Sequence, residues 1–443
     1  DAAGVTRIQY CTVDKGAYES ADAIQIEPDE NGVYYVTQNG AGTSDGSSLE
    51  NASCAMELQR VLNAAGERAK TGMDAIVKIA GYESASFVYN ANTLSNQDDP
   101  QSYTYVIPYG VTVMGGFSDK DGNWDDDSDG YKRDPITYKT VLSAINNSSS
   151  LEQKVNGYHT VTFGEKPSDW NGNDKKSIID GIYLIDGKAT SMAGNGNPNT
   201  RGGGAVVPSW AHVRNCVVAR CEAIEGGGLY VLPGGIVSGS LIMDNTAENG
   251  AGVYADNTNA GKDSRAHMVS CTVTDNTASS IGGGLFLEDG AMMVTNSILW
   301  GNTAPSDKNI SGVLTEALED DVWSSVEHGI SAFYPVNHSF VETYEMPSNF
   351  ENTTMESNED LYFASSSRLL KAYSPLIKHG MDTEYQDAMA SRLGISSVDM
   401  QGIPRIQADM PRIDAGAFAF EGGTIPTDVL LTRIFVSQGA NVQ

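Results

Sequence analysis

Four glycine-led segments, "GGGAVV" at Gly202, "GGGLYV" at Gly226, "GAGVYA" at Gly250 and "GGGLFL" at Gly282, begin 24, 24 and 32 residues apart. Each opens into a short apolar or β-branched run. A second series interleaves with the first: "VRNCVVARC", "VSGSLIMDN", "MVSCTVTDN" and "VTNSILWGN" set Cys216, Ser240, Cys271 and Ser297 at equivalent places, 24, 31 and 26 residues apart. Two independent markers keep one period, so this part of the chain is an array of units. Within a unit the apolar runs are short, alternate, and are punctuated by Gly, Asn, Asp and Ser, which predicts two or three strands and no helix. A unit so small closes no core alone. Stacked copies do, as a parallel β-solenoid rising about 4.8 Å per coil, with the residues added in the longer spacings held in surface loops.

The second series also predicts which side chains point inward. The triplets Val213, Cys216, Val218; Val237, Ser240, Ile242; Met268, Cys271, Val273; and Val294, Ser297, Leu299 are small or apolar throughout, as an interior column requires. Five residues past each marker come Cys221, Asn245, Asn276 and Asn302. Stacked asparagines at a turn hydrogen-bond to one another between coils, which accounts for the recurrent "DN" and "GN" without any chemistry.

Upstream the strand signals continue less regularly, in "GVYYVTQNG", "DAIVKIAGYE", "SYTYVIPYGVTVMGGFS" and "YKTVLSAIN". One segment reads as helix: "SCAMELQRVLNAAGERAK" sets Leu58, Val61, Leu62 and Ala65 on one face. Such a helix over 53–68 fits as a lid on the open end of a solenoid, whose strand edges and core need cover. The predicted organisation is an N-terminal segment 1–32, one all-β domain 33–425 with an irregular C-terminal cap 340–425, and a tail 426–443.

Charge narrows the partners. With 28 basic against 57 acidic residues in 443, the net charge of −29 repels nucleic acid and anionic lipid. At 40% apolar residues the composition is that of a folded, soluble chain. No run reaches the roughly 18 to 20 apolar residues of a membrane span. The opening "DAAGVTRIQY" lacks an initiator methionine, which suits a mature chain trimmed of its targeting segment. Five cysteines without CxxC spacing signal neither a zinc site nor a disulfide scaffold, and most read as small buried side chains.

Few constellations carry chemistry. A strand rather than a helix follows each glycine run, so these are turns of positive φ and not phosphate loops. Asp125, Asp127 and Asp129 before Gly130 match the first half of a calcium loop, but the twelfth position is Ile136 instead of Glu, which leaves a solvated acidic loop and a Ca2+ site both open. Calcium is the one cofactor the sequence suggests. Just before the asparagine column stand Arg220, Asp244 and Asp275; stacked about 5 Å apart they would suit a glycosidase or a calcium-assisted lyase, or form an exposed charge ladder. In the strand after the glycines, Tyr230, Tyr254 and Phe286 alternate with inward aliphatics, so they are expected to face outward in a row, either as a platform for sugar rings or a partner protein, or covered by loops. The histidines show no HxH or HExxH spacing and the serines no GxSxG elbow.

The ordered set "YYVTQNGAGTSDGSSLENASCAMELQRVLNAA", "VMGGFSD", "RDP", "TVLSA", "GGGLYV", "LIMDN", "SILWGNTA", "SPLIKHG", "DMQGIPRI" and "RIDAGAFAF" resembles exported bacterial right-handed β-helix proteins. It is most similar to the choice-of-anchor Q type of the Bacteroidetes envelope, and the repeats resemble the paired GGA(I/L/V) and FxxN motifs of chlamydial polymorphic membrane proteins. This resemblance spans residues 33 to 421 and implies a single-stranded right-handed parallel β-helix of pectate-lyase-like topology. It also implies an extracytoplasmic place, at the cell surface or outer membrane or secreted. The expected function is a non-catalytic rod for adhesion or glycan contact, with a glycan or a host or cell-surface protein as partner. The alternative is a polysaccharide lyase or glycoside hydrolase acting along a groove of the β-helix.

Overall fold

The computed structural model describes residues 24–83, 101–118, 133–146, 155–169, 174–191, 197–256, 265–288, 292–312, 336–341 save 338, 383–406 and 413–418, with isolated positions 85, 87–91, 99, 120 and 124 between them. The protein is an all-β parallel β-helix. Strands of successive coils pair in parallel along the faces, and among the described residues two strand pairs are antiparallel, joined at Tyr82 with Lys139 and at Ile145 with Asn156. Each regular coil carries four short strands rather than the two or three expected. One coil runs Ala205–Val207, Ala211–Arg214, Val217–Ala219 and Glu222–Glu225, and the next begins at Leu229–Val231.

Three of the four corners are made in one way. The residue at the corner adopts positive φ: Gly181, Asn215, Gly239, Ser270 and Asn296 at the first, Asp186, Arg220, Asp244, Asp275 and Gly301 at the second, and Gly202, Gly226, Gly250, Gly282 and Asp307 at the third. A single left-handed residue turns the strand sharply, and the next side chain then points inward. This places Cys216, Ser240, Cys271 and Ser297 after the first corner and Cys221, Asn245, Asn276 and Asn302 after the second, all at most 3% exposed. The fourth connection carries the insertions.

Register follows the sequence columns residue by residue. Val213, Val237, Met268, Val294 and Val336 align, as do Val218, Ile242, Val273, Leu299 and Val341. The stack thus continues through Val336–Asn337 and Phe340–Val341, with the Ser339 hydroxyl accepting from the Ser297 N–H (3.1 Å) as Ser240 and Ser297 accept from Cys216 and Cys271.

The asparagine ladder forms as expected and is fully interior. Asn245 accepts from the Cys221 N–H (3.0 Å), and the Asn276 carbonyl accepts from both the backbone and side-chain N–H groups of Asn245 (3.0 Å each). Asn302 serves Asn276 likewise (3.0 and 2.9 Å). The ladder dictates the third glycine of each run. A Cβ on Gly228, Gly252 or Gly284 would lie 3.0, 3.0 or 2.8 Å from the side-chain nitrogen of the next coil's asparagine, and 2.5 to 2.6 Å from a backbone oxygen besides. In the last of these coils that position is Asn309, whose own carboxamide takes the ladder site and accepts from Asn302 (2.8 Å).

Helix α1, Leu58–Lys70, covers the first strand of the glycine-led face. Leu58, Val61, Leu62 and Ala65 are at most 1% exposed, on the face the spacing predicted. Among the described residues no strand pairs with the outer edge of Tyr105–Ile107; instead Gln59 of α1 donates to Val106 O (2.9 Å) and accepts from Val106 N (2.8 Å), so a side chain takes the place of a strand. At the other end the described C-terminal residues lie along the flank. Met400, Ala417 and Phe418 pack on the outward Val141, Ile185, Val217, Ala219 and Leu241 as a second core. Ala417 N donates to Thr272 Oγ1 (3.0 Å), Gly416 N to Asn296 O (2.9 Å), and the buried Arg405 to the carbonyls of Gly416 (3.0 Å) and Ala417 (2.9 Å). This segment is a strap along the coils.

Candidate functional site

The aromatic row assembles in register: Tyr230 pairs Tyr254, and Tyr254 pairs Phe286. The rings stack at 5.1 Å and 4.8 Å between centroids. Leu229 and Val231 belong to the inner core, so Tyr230 lies on the other side of its strand. The open platform, however, is not there. Tyr230 is 1% and Tyr254 7% exposed, and Phe286 is half-buried. Arg201 lies 4.6 Å over the Tyr230 ring and is itself held by Glu225 (3.0 Å), while the Tyr230 hydroxyl donates to Asp256 (2.7 Å). Burial, then the Asp256 bond, pushes the Tyr230 phenol well above its ordinary range. The covering groups come from the two ends of the face, Arg201 ahead of the glycine turn and Asp256 after the next strand, so no alternation pattern announces them.

Arg220, Asp244 and Asp275 share a column, but its common property is the left-handed corner, with φ of 56°, 55° and 59°. Asp tolerates that conformation well, which accounts for its presence there. Arg220 turns toward the preceding coil, where its guanidinium donates twice to Asp186 (3.0 and 3.1 Å). Asp125, Asp127 and Asp129 lie outside the described residues. Among the described residues no three His, Cys, Asp or Glu side chains cluster as metal ligands.

Three histidines serve the coil. His159 Nδ1 meets Gly202 O (2.9 Å) and His212 Nε2 meets Ser238 Oγ (2.7 Å). Burial lowers the His159 imidazole below its ordinary range, takes His212 down to about 3 and His267 to about 4. Cys216, Cys221 and Cys271 are free and buried, their thiols pushed up by burial to about 12, as suits inert interior groups. Cys54 departs from the sequence expectation, because it is disulfide-bonded.

Two clusters carried no sequence signal. Asp180, 1% exposed, is bound by Arg133 (2.8 Å) and Arg214 (2.7 Å). Burial pushes its carboxyl up, but the two guanidiniums outweigh this and hold it below the usual carboxylate range. Asn215 donates to the same carboxylate (3.3 Å), and Arg214 also donates to Gly394 O (3.0 Å) just past helix α2, Thr383–Leu393. This buried charge group ties the strap to the coils. Asp180 and Arg214 are register partners in adjacent coils, but Asp180 lies upstream of the regular units and Arg133 lies outside the paired strands, so the period in the sequence does not mark the group.

The second is a cleft of about 450 Å³ at the N-terminal end, lined by Thr37, Gln38, Asn39, Gly40, Ala41, Leu49, Glu50, Tyr82, Lys120 and Trp124. Trp124 stacks on Phe117 at 5.0 Å and donates its indole N–H to Ser118 O (2.9 Å); Tyr82 packs edge-on to Phe87 at 5.4 Å. The rim is pinned. Gln38 N donates to the Tyr82 hydroxyl (2.6 Å), Gly40 N to Thr37 Oγ1 (3.1 Å), and Ala41 N to Ala52 O (2.8 Å), beside the disulfide-bonded Cys54. Its sequence, "TQNGAGTSDGSSLEN", reads only as turn, and the aromatic walls come from two later segments.

Fold and site together define a parallel β-helix protein with a polar cleft walled in part by Tyr82 and Trp124. No family model matches the chain, and no curated protein matches it. Among solved structures, the crystal structure of pectate lyase Pel9A is similar over 89% of this chain and 98% of that one, at 11% identity and a TM-score of 0.35. At that score the likeness adds nothing to the reading of the site.

Proposed function

We propose that the protein is a non-catalytic, extracytoplasmic β-helix rod that makes contact with a glycan or a cell-surface partner. The observation that carries this is how the candidate reactive groups are employed. The Arg220 guanidinium is held by Asp186, the Tyr230 hydroxyl by Asp256, and the Asp180 carboxylate by two arginines, so the ionic chemistry described above holds coils together. Two guanidiniums hold the Asp180 carboxyl below its usual range, which is a stabilising arrangement and not that of an acid-base pair poised near neutrality. A disulfide at Cys54 favours an oxidising compartment. Wild-type protein on a glycan array and against immobilised matrix proteins is expected to bind with no product formed. Unsaturated-product absorbance on incubation with acidic polysaccharides and calcium would overturn the non-catalytic reading, and the absence of any binding would overturn the contact reading.

A further inference from the structure

Resting on that reading, we infer that the N-terminal cleft binds a neutral sugar residue. Its volume of about 450 Å³ falls within the range of roughly 300 to 1,000 Å³ typical of small-molecule sites. A pyranose presents apolar C–H faces and a belt of hydroxyls that donate and accept. The cleft offers the complement. The half-buried Ala41 and Leu49 supply apolar lining beside the buried Trp124 and Tyr82, whose packing fixes the walls, and the carboxamides of Gln38 and Asn39 with the carboxylate of Glu50 stand on the rim. Gln38, Asn39 and Glu50 make no side-chain hydrogen bond to other described residues, and all three are exposed, so they are available to a ligand. Because the backbone of the rim is already bonded at Gln38, Gly40 and Ala41, binding orders little chain, which keeps its entropic cost low.

The same groups select against other ligands. An apolar molecule would strip water from Gln38, Asn39 and Glu50 and return no hydrogen bonds. A phosphate or uronate needs cations, and Lys120, the cation of the lining, is paired with Glu83 (3.1 Å) in a chain of net charge −29.

Saturation-transfer NMR with free galactose, N-acetylglucosamine and galacturonate as probes tests the assignment on the full chain. Wild-type protein is expected to transfer saturation to a neutral sugar and not to galacturonate. In Asn39→Ala with Glu50→Ala, two exposed changes that leave the melting temperature in place, the affinity is expected to fall about tenfold or more, as losing ligand hydrogen bonds implies. Transfer to no neutral sugar, equal transfer in the double variant, or preference for galacturonate each overturns the inference. Glycan-array binding that survives in the double variant leaves the contact reading standing while the cleft assignment fails; array binding absent from the wild type removes both.

Discussion

Replacing Asn276 with alanine would cut the interior ladder at its middle. The Asn245 backbone N–H loses its acceptor at 3.0 Å, the Asn245 carboxamide loses a second bond of 3.0 Å, and the carbonyls of Ile242 and Thr274 each lose a donor at 3.0 Å. Asn276 is 0% exposed, so water does not replace these partners. One orphaned buried N–H costs about 1–3 kcal/mol, and the remaining bonds, at about 1 kcal/mol each and partly offset by relaxation, bring the loss to about 3–5 kcal/mol. Thr277→Ala, the exposed neighbour, serves as reference, since surface changes of this kind stay within about 0.5 kcal/mol. Urea unfolding followed by circular dichroism and by tryptophan emission measures both variants, and coincidence of the two probes licenses the comparison. If Asn276→Ala lies within about 1 kcal/mol of the reference, the ladder is not a source of stability and the physical account of the "DN" repeat is wrong.

Three further outcomes follow from the same geometry. Gly252→Ala sets a methyl 2.5 Å from Gly284 O and 3.0 Å from the Asn276 amide, so it is expected to destabilise by about 1–3 kcal/mol in the same unfolding assay, and more mildly in the Asn276→Ala background, where the amide is gone. Asp180→Asn strands two partly buried guanidiniums and is expected to cost about 3–5 kcal/mol and to make the C-terminal strap more susceptible to limited proteolysis. Acid should destabilise the fold through His212: the unfolded imidazole takes its proton near 6.5 and the folded one only near 3, so the unfolded state binds more protons between those values and stability falls as pH drops through that window. His212→Asn should lessen the fall of the melting temperature between pH 6.5 and 5, the buried His159 and His267 keeping the rest; an unchanged slope refutes the assignment.

What the sequence made legible is what the period repeats. A column such as Val213, Val237, Met268 and Val294 is visible because neighbours in the stack are also neighbours in the alignment of units, so register and inward direction come together. The corners were only half legible. Their glycines announced positive φ, but Arg220 and Ser270 adopt the same conformation without advertising it, and the second corner therefore read as a possible charge cluster. Cover over the aromatic row was one of two readings, but the groups that supply it, Arg201 and Asp256, and the strap over Leu241 were not legible. The strap is held by contacts to a segment outside the repeat, such as Ala417 to Thr272, 145 residues apart, while Arg201 and Asp256 reach Tyr230 from beyond its own strand, and no local pattern encodes such pairings. The cleft was missed for the same reason, since its rim is turn sequence and its walls arrive from Tyr82 and Trp124.

Asn309 has a consequence for the length of the ladder. In earlier coils the glycine at that place leaves a vacancy into which the following coil inserts its asparagine; Asn309 fills the vacancy with its own side chain. The position that would supply the next asparagine, three residues past Val341, is Tyr344. In the language of polymers, residues 221 to 302 are the propagating units of the ladder and Asn309 is its terminator: extra coils spliced in before it should lengthen the ladder, while the strands that follow, Val336–Asn337 and Phe340–Val341, stack on without it.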